Sequence, residues 1–247
     1  MNIEIFDSYA DMCRRTAKDI LADLKDNPRQ LLCIAAGHTS LGLFRELVQA
    51  YKEGRADFSK ASFVAMDEWL YMSPDTKDSC GCFLKEHFLN HVNYHPQNVR
   101  LWDASKKDMA TECNEIETFI KDHSCNRCID FLILGAGMNG HLALNEPGSD
   151  LYGRAHVSSL DPITQKVGQK YFEGDAVLQG GATLGIQNFR EAKRCILMIN
   201  DSHKAGILYQ IMQANQSDPA IPATAILEFE NASLYCDRTA ASKWTAH

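Results

Sequence analysis

A chain of 247 residues, 45% of them hydrophobic, can bury one sizeable core, and no linker or composition shift divides it, so a single domain over 1–247 is expected. The formal charge of -7 and pI near 5.7 exclude nucleic acid or an anionic membrane as the main partner, so any anionic ligand needs a local positive site. No apolar run reaches the roughly 20 residues that span a bilayer, and the amino terminus lacks the basic and apolar regions of a secretory signal, which predicts a cytoplasmic protein whose nine cysteines are reduced thiols.

Apolar residues at helical spacing over 11–24, stopped by Asn27 and Pro28, predict an opening helix. The run LLCIAA over 31–36 predicts a buried strand, followed by a glycine turn at Gly37, His38, Thr39 and Ser40 and a helix over 41–51, which is half of a βαβ unit. A strand over 62–66 ends at Asp67, Glu68 and Trp69. A polar loop over 71–82, a helix over 83–91, a turn region over 93–98 and a helix over 110–123 follow. The unbroken apolar run 131–134 suits a strand covered on both faces, and it opens into a loop broken by Gly135, Gly137 and Gly140. Helices over 161–172 and 204–214 and strands over 195–199 and 225–229 complete the alternation. The economical fold is α/β: a doubly wound, mostly parallel sheet with helices on both faces.

Polar groups cluster where those strands end. Asn139, His141, Asn145 and Glu146 crowd the glycine loop, and a carboxylate that holds one imidazole nitrogen fixes the tautomer and raises the basicity of the other. Asp67, behind an apolar strand, has neighbours that raise its pKa and suit it to proton abstraction; the same position also suits a turn cap. Gly37, His38 and Thr39 precede a helix whose free N–H groups favour an anion, although a capped helix start with no ligand has the same pattern. Lys170 and Lys204 could add positive charge, and Lys204 is the odder because a helix amino terminus disfavours a cation unless an anion is bound. Cys125 and Cys128 form a CxxC with no second pair at zinc spacing, so no metal is expected.

These residues carry a resemblance. FVAMDEW, GAGMNGHLALNEPG, TLGIQNFREAKRCILMI and SHKA are similar, over nearly the whole chain, to the motifs of the glucosamine-6-phosphate deaminase and galactosamine-6-phosphate isomerase family, which shares its fold with 6-phosphogluconolactonases. The resemblance implies an ammonia-releasing aldose-ketose isomerase acting on a phosphorylated amino sugar without a cofactor, with neither nucleic acid nor membrane as partner and with a homo-oligomer left open. It implies Asp67 as the base between C2 and C1, His141 as the ring-opening group and Glu146 as its orienter. Asn139, at a position where relatives carry either Asp or Asn, would join the catalytic group as a loop hydrogen-bonder that cannot act as a carboxylate relay. Gly37, His38, Thr39, Lys170 and Lys204 would hold the phosphate, and Gly137 would line the substrate.

Departures from the family pattern at Trp69 and over 78–84 look more like the galactosamine branch, so the resemblance implies galactosamine 6-phosphate converted to tagatose 6-phosphate and ammonia, with glucosamine 6-phosphate and fructose 6-phosphate as the close alternative. His156 and Ser158 stand where regulated glucosamine enzymes carry basic residues, which argues against that control. A lactonase is the rival enzyme, opposed by LALNEPG where lactonases continue toward Ser-Leu-Phe-Pro. A non-catalytic sugar-phosphate sensor is the rival of another class, opposed by the joint presence of Asp67, His141 and Glu146.

Overall fold

The computed structural model describes residues 1–244. Its elements in chain order are β1 (Asn2–Phe6), α1 (Tyr9–Asp26), β2 (Leu31–Ile34), α2 (Leu41–Lys52), β3 (Ser62–Val64), β4 (Asp67–Trp69), α3 (Cys80–His87), β5 (Val99–Arg100), α4 (Met109–Asp122), β6 (Phe131–Gly135), β7 (His156–Ser159), α5 (Pro162–Gly168), β8 (Gly180–Thr183), α6 (Ile186–Arg190), β9 (Arg194–Ile199), α7 (Ala205–Gln213), β10 (Ala232–Asp237) and α8 (Arg238–Ala241). Seven strands form an all-parallel sheet in the order β1-β10-β9-β6-β2-β3-β5. The central strands β2 and β6 pair with each other and are buried almost throughout, as their unbroken apolar runs require.

The chain leaves β2 toward β3 and β5 on one side, then returns through β6 toward β9 and β10 on the other. The order therefore reverses between β2 and β6, and ligands of open α/β sheets bind at the carboxyl ends of the strands at such a point. The loops after β2 and β6 are the two glycine-bearing loops of the sequence.

The structure also corrects the expected elements. Asp67, Glu68 and Trp69 do not end the strand of 62–66. They form β4, which joins β8 and β7 in a separate three-stranded antiparallel sheet. β7 and β8 escaped the sequence reading because HVSS and GGAT carry too few apolar residues to mark a strand. The expected strand over 225–229 is part of a 3-10 helix, Pro222–Glu228. A short apolar run does not separate strand from helix, and here Pro222 opens the helix while Thr224 Oγ1 donates to Ile221 O at 2.7 Å. The last strand is instead β10, which with β1 forms the sheet edge that the reading missed. α3 begins earlier than expected because Ser79 caps it, its Oγ accepting from Cys82 N at 2.9 Å.

Candidate active site

The loop after β6 folds back on itself through Gly137 N to His141 O at 2.9 Å, and Gly140 takes φ +84° at the turn. Asn145 fastens the loop to the end of β8: its Nδ2 donates to Leu142 O at 2.9 Å and to Leu184 O, just past that strand, at 2.8 Å. Asn145 is thus buried and structural. Gly137 has no side chain because the imidazole of His141 lies over it; a Cβ there would stand 2.3–2.5 Å from the ring.

Around that ring the polar groups form one network. Asn139 Nδ2 donates to Glu146 Oε2 at 2.8 Å and lies 3.3 Å from Thr164 Oγ1, while His141 N donates to Asn139 Oδ1 at 3.3 Å. A carboxylate in place of the Asn139 amide would face that of Glu146, whereas the amide donates. The nearest partner of His141 Nδ1 is the hydroxyl of Thr164, at 3.0 Å, with Glu146 Oε2 farther off at 3.6 Å. Glu146 is buried, and its Oε1 has no protein partner.

Asp67 and Glu68 are consecutive in β4 and therefore point to opposite faces. Glu68 is buried and accepts from the backbone N–H groups of Trp69, Cys80 and Gly81 at 2.9, 2.9 and 2.8 Å, which pins the start of α3 to β4. Asp67 faces His141. Burial pushes its carboxyl up to about 7, against the opposing pull of His141 and of the Cys80 thiol. A carboxyl poised there can give and take a proton near neutrality.

A second cluster lies beside the first. The turn after β2 continues into a 3-10 helix, His38–Ser40, and Lys204 Nζ donates to Thr39 Oγ1 at 3.2 Å. Burial, with repulsion from Lys170, pulls the Lys204 ammonium down to about 8, and burial lowers Lys170 as well. Burial and the nearby Lys170, His87 and Lys204 lower His38 too. Among the described residues neither lysine has a carboxylate ion-pair partner. Like charges held close together in this way are relieved by a bound anion. Tyr171 joins the two clusters: its ring stacks on His38 at 5.0 Å, Lys170 Nζ lies 5.0 Å from its centroid, and Asp67 and Cys80 bear on its hydroxyl, which burial pushes up to about 12. A cavity of about 210 Å³ opens next to this junction, with Trp69, Cys80, Cys82 and Tyr171 among its walls.

The structure thus gathers Asp67, Asn139, His141 and Glu146 into one group and His38, Thr39, Lys170 and Lys204 into another. Gly37 approaches Tyr171, and Gly137 belongs with His141 rather than with the lysines. Three contributors escaped the sequence reading. Thr164 gave only a weak signal, Asp161 and Pro162 marking a helix start and placing it at the third helical residue. Cys80 stood out only as part of the unusual stretch 78–84, and Tyr171 gave no signal. Among the described residues no group of three or more His, Cys, Asp or Glu gathers at metal-binding spacing, and no helix is long and apolar enough to cross a membrane.

A family model described as glucosamine-6-phosphate isomerases/6-phosphogluconolactonase matches residues 6–235. A glucosamine-6-phosphate deaminase of Clostridium novyi (strain NT) is 30% identical over 244 residues, covering 98% of this chain and all of that one. One from Thermoanaerobacter sp. (strain X514) is 29% identical over 243 residues, 98% of this chain and 94% of that one. Among solved structures, a monomeric glucosamine-6-phosphate deaminase superposes with a TM-score of 0.92 at 27% identity, covering 98% of this chain and 99% of that one. The 6-phosphogluconolactonase of Leishmania guyanensis, at 17% identity and TM-score 0.75 over 97% of each chain, shares the fold.

Proposed function

Because the chain belongs to the glucosamine-6-phosphate isomerase/6-phosphogluconolactonase family, we propose that it is an ammonia-releasing aldose-ketose isomerase of hexosamine 6-phosphates, with glucosamine 6-phosphate as substrate. The observation that carries this reading is Asp67, a half-buried carboxyl poised near 7, facing His141 beside two lysines that have no carboxylate partner among the described residues. The phosphate sits among Thr39, Lys170, Lys204 and the backbone at Gly37 and His38. His141 takes the anomeric hydroxyl proton and returns a proton to the ring oxygen, so the C1–O5 bond breaks as the C1 carbonyl forms.

That carbonyl acidifies C2–H. Asp67 removes this proton and delivers it to C1, converting the enolamine to a 2-imino ketose. Water adds to C2, the C–N bond breaks, and ketose 6-phosphate and ammonia leave. No redox partner enters the balance, and the carboxylate is regenerated. The Asn139 amide holds Glu146, and Glu146 and Thr164 hold Nδ1 of His141, leaving Nε2 for the substrate.

Galactosamine 6-phosphate is the second reading, carried by Trp69 and Cys80. Both line the cavity beside Asp67 and depart from the glucosamine pattern. Nine free cysteines support a reducing, cytoplasmic setting. Assaying ammonia and ketose phosphate from each epimer tests the proposal: higher kcat/KM with the gluco epimer supports the first reading, with the galacto epimer the second, and no ammonia from either refutes both.

A further inference from the structure

Thr164 is only 4% exposed, yet its hydroxyl touches two members of the catalytic group: His141 Nδ1 at 3.0 Å and Asn139 Nδ2 at 3.3 Å. It sits on α5, which runs without a break into a 3-10 turn, Gln169–Tyr171, so Thr164 and Lys170 stand near opposite ends of one short rod. The rod is braced along its length, which makes it stiff. Asp161 caps it, accepting from Ile163 N at 2.8 Å, and Gly168 packs so closely on Leu178 and Trp69 that a Cβ there would lie 2.8 and 3.3 Å from them. The Gln169 side chain exchanges hydrogen bonds with the Ala176 backbone at 2.6 and 3.0 Å.

Building on the proposed reaction, we infer that Thr164 is a positioning residue that fixes the tautomer of His141 and makes its orientation depend on anion binding at Lys170. The donor pattern gives the tautomer. Asn139 Nδ2 is a donor, so Thr164 Oγ1 accepts from it and has a second lone pair free. Nδ1 of His141 faces the Thr164 hydroxyl, which can accept or donate, and farther off the Glu146 carboxylate, which can only accept, so a proton on Nδ1 is the arrangement that suits both. Nε2 is then unprotonated, the form that takes the anomeric proton. An anion that draws Lys170 inward moves the rod as a unit, and the Thr164 contact carries the shift to the imidazole. This links phosphate recognition to ring opening through a single helix.

Thr164→Val keeps the shape and removes the hydroxyl, while Thr164→Ser keeps the hydroxyl. With hexosamine 6-phosphate, Thr164→Val should lower kcat by about ten- to a hundred-fold with KM changed less than about three-fold, and Thr164→Ser should restore kcat to within about three-fold of wild type. Nitrogen NMR of 15N-histidine protein, with His141 assigned by loss of its signals in His141→Gln, reads the same claim without turnover. In wild type, Nδ1 of His141 should carry the proton, and inorganic phosphate should shift the His141 signals. In Thr164→Val the tautomer should become mixed and the phosphate response of His141 should vanish while that of His38 persists. A tautomer unchanged in Thr164→Val, or wild-type His141 signals that ignore phosphate while His38 responds, overturns the inference. Absence of ammonia release from wild type would instead defeat the proposed reaction and leave the NMR test of Thr164 intact.

Discussion

Replacing Asp67 by Asn should cost activity and add stability, because the group poised for proton transfer is a carboxylate held where water solvates it poorly. The folded chain keeps the Asp67 proton up to about 7, while the unfolded chain releases it near the ordinary 3.8. The folded state therefore binds more protons than the unfolded one between those values. The wild type loses stability as pH rises through that window and loses no more above it. A shift of that size corresponds to at most about 4 kcal/mol, and partial contact of the side chain with solvent lowers the expectation to about 2–4 kcal/mol.

The amide introduced by Asp67→Asn has no charge to desolvate, so at pH 8 the variant should melt roughly 5–10 °C higher than wild type. Near pH 5, where the wild type still holds most of the proton, that difference should fall to less than half. Turnover should meanwhile drop by about two to four powers of ten with binding largely spared. Calorimetry at the two pH values, alongside ammonia-release kinetics, reads all three effects. An equal melting difference at pH 5 and pH 8, or a lower melting temperature at pH 8, would refute the desolvation argument. Near-normal turnover would remove Asp67 from the mechanism.

Lys204→Ala should raise KM for the phosphorylated sugar by about ten- to a hundred-fold with a smaller change in kcat, checked by steady-state kinetics; an unchanged KM would displace the phosphate from this cluster. The pH profile of kcat/KM should be a narrow bell. It should rise through about 7 as Asp67 ionises and fall above about 8 as Lys204 loses its proton. In kcat the alkaline limb should move higher, since bound phosphate favours the charged lysine. Gly137→Ala should drive a methyl into the His141 ring and lower kcat by about a hundred-fold, measured against a circular dichroism spectrum expected to stay unchanged.

The central sheet was legible because β2, β6 and β9 are unbroken apolar runs, which have few other places to go in an α/β chain. The second sheet was not. Glu68 and Asp67 in β4 are held by contacts distant in sequence, Glu68 by the amides of Cys80 and Gly81, and β7 and β8 lack the alternation that marks a strand. The polar groups of the site were legible for a related reason: Asn139, His141 and Glu146 are close in sequence and share a glycine-broken loop. Thr164, Cys80 and Tyr171 reach the site only through folding of separate segments, and a buried threonine in a short helix looks locally like any core residue. The distinction between Asn139 and an acidic residue likewise needed the observed amide donation to Glu146 to acquire a physical meaning.

The proton path from C2 to C1 is best tested with glucosamine 6-phosphate deuterated at C2, following ammonia release and the NMR signal of the product's C1 together. Transfer by Asp67 predicts a slower rate than with unlabelled substrate and deuterium appearing at C1 to the extent that the carboxyl does not exchange with water, with neither product formed at a comparable rate by Asp67→Asn. Ammonia release at the same rate with and without deuterium, with no label at C1 and with full activity in Asp67→Asn, would contradict it.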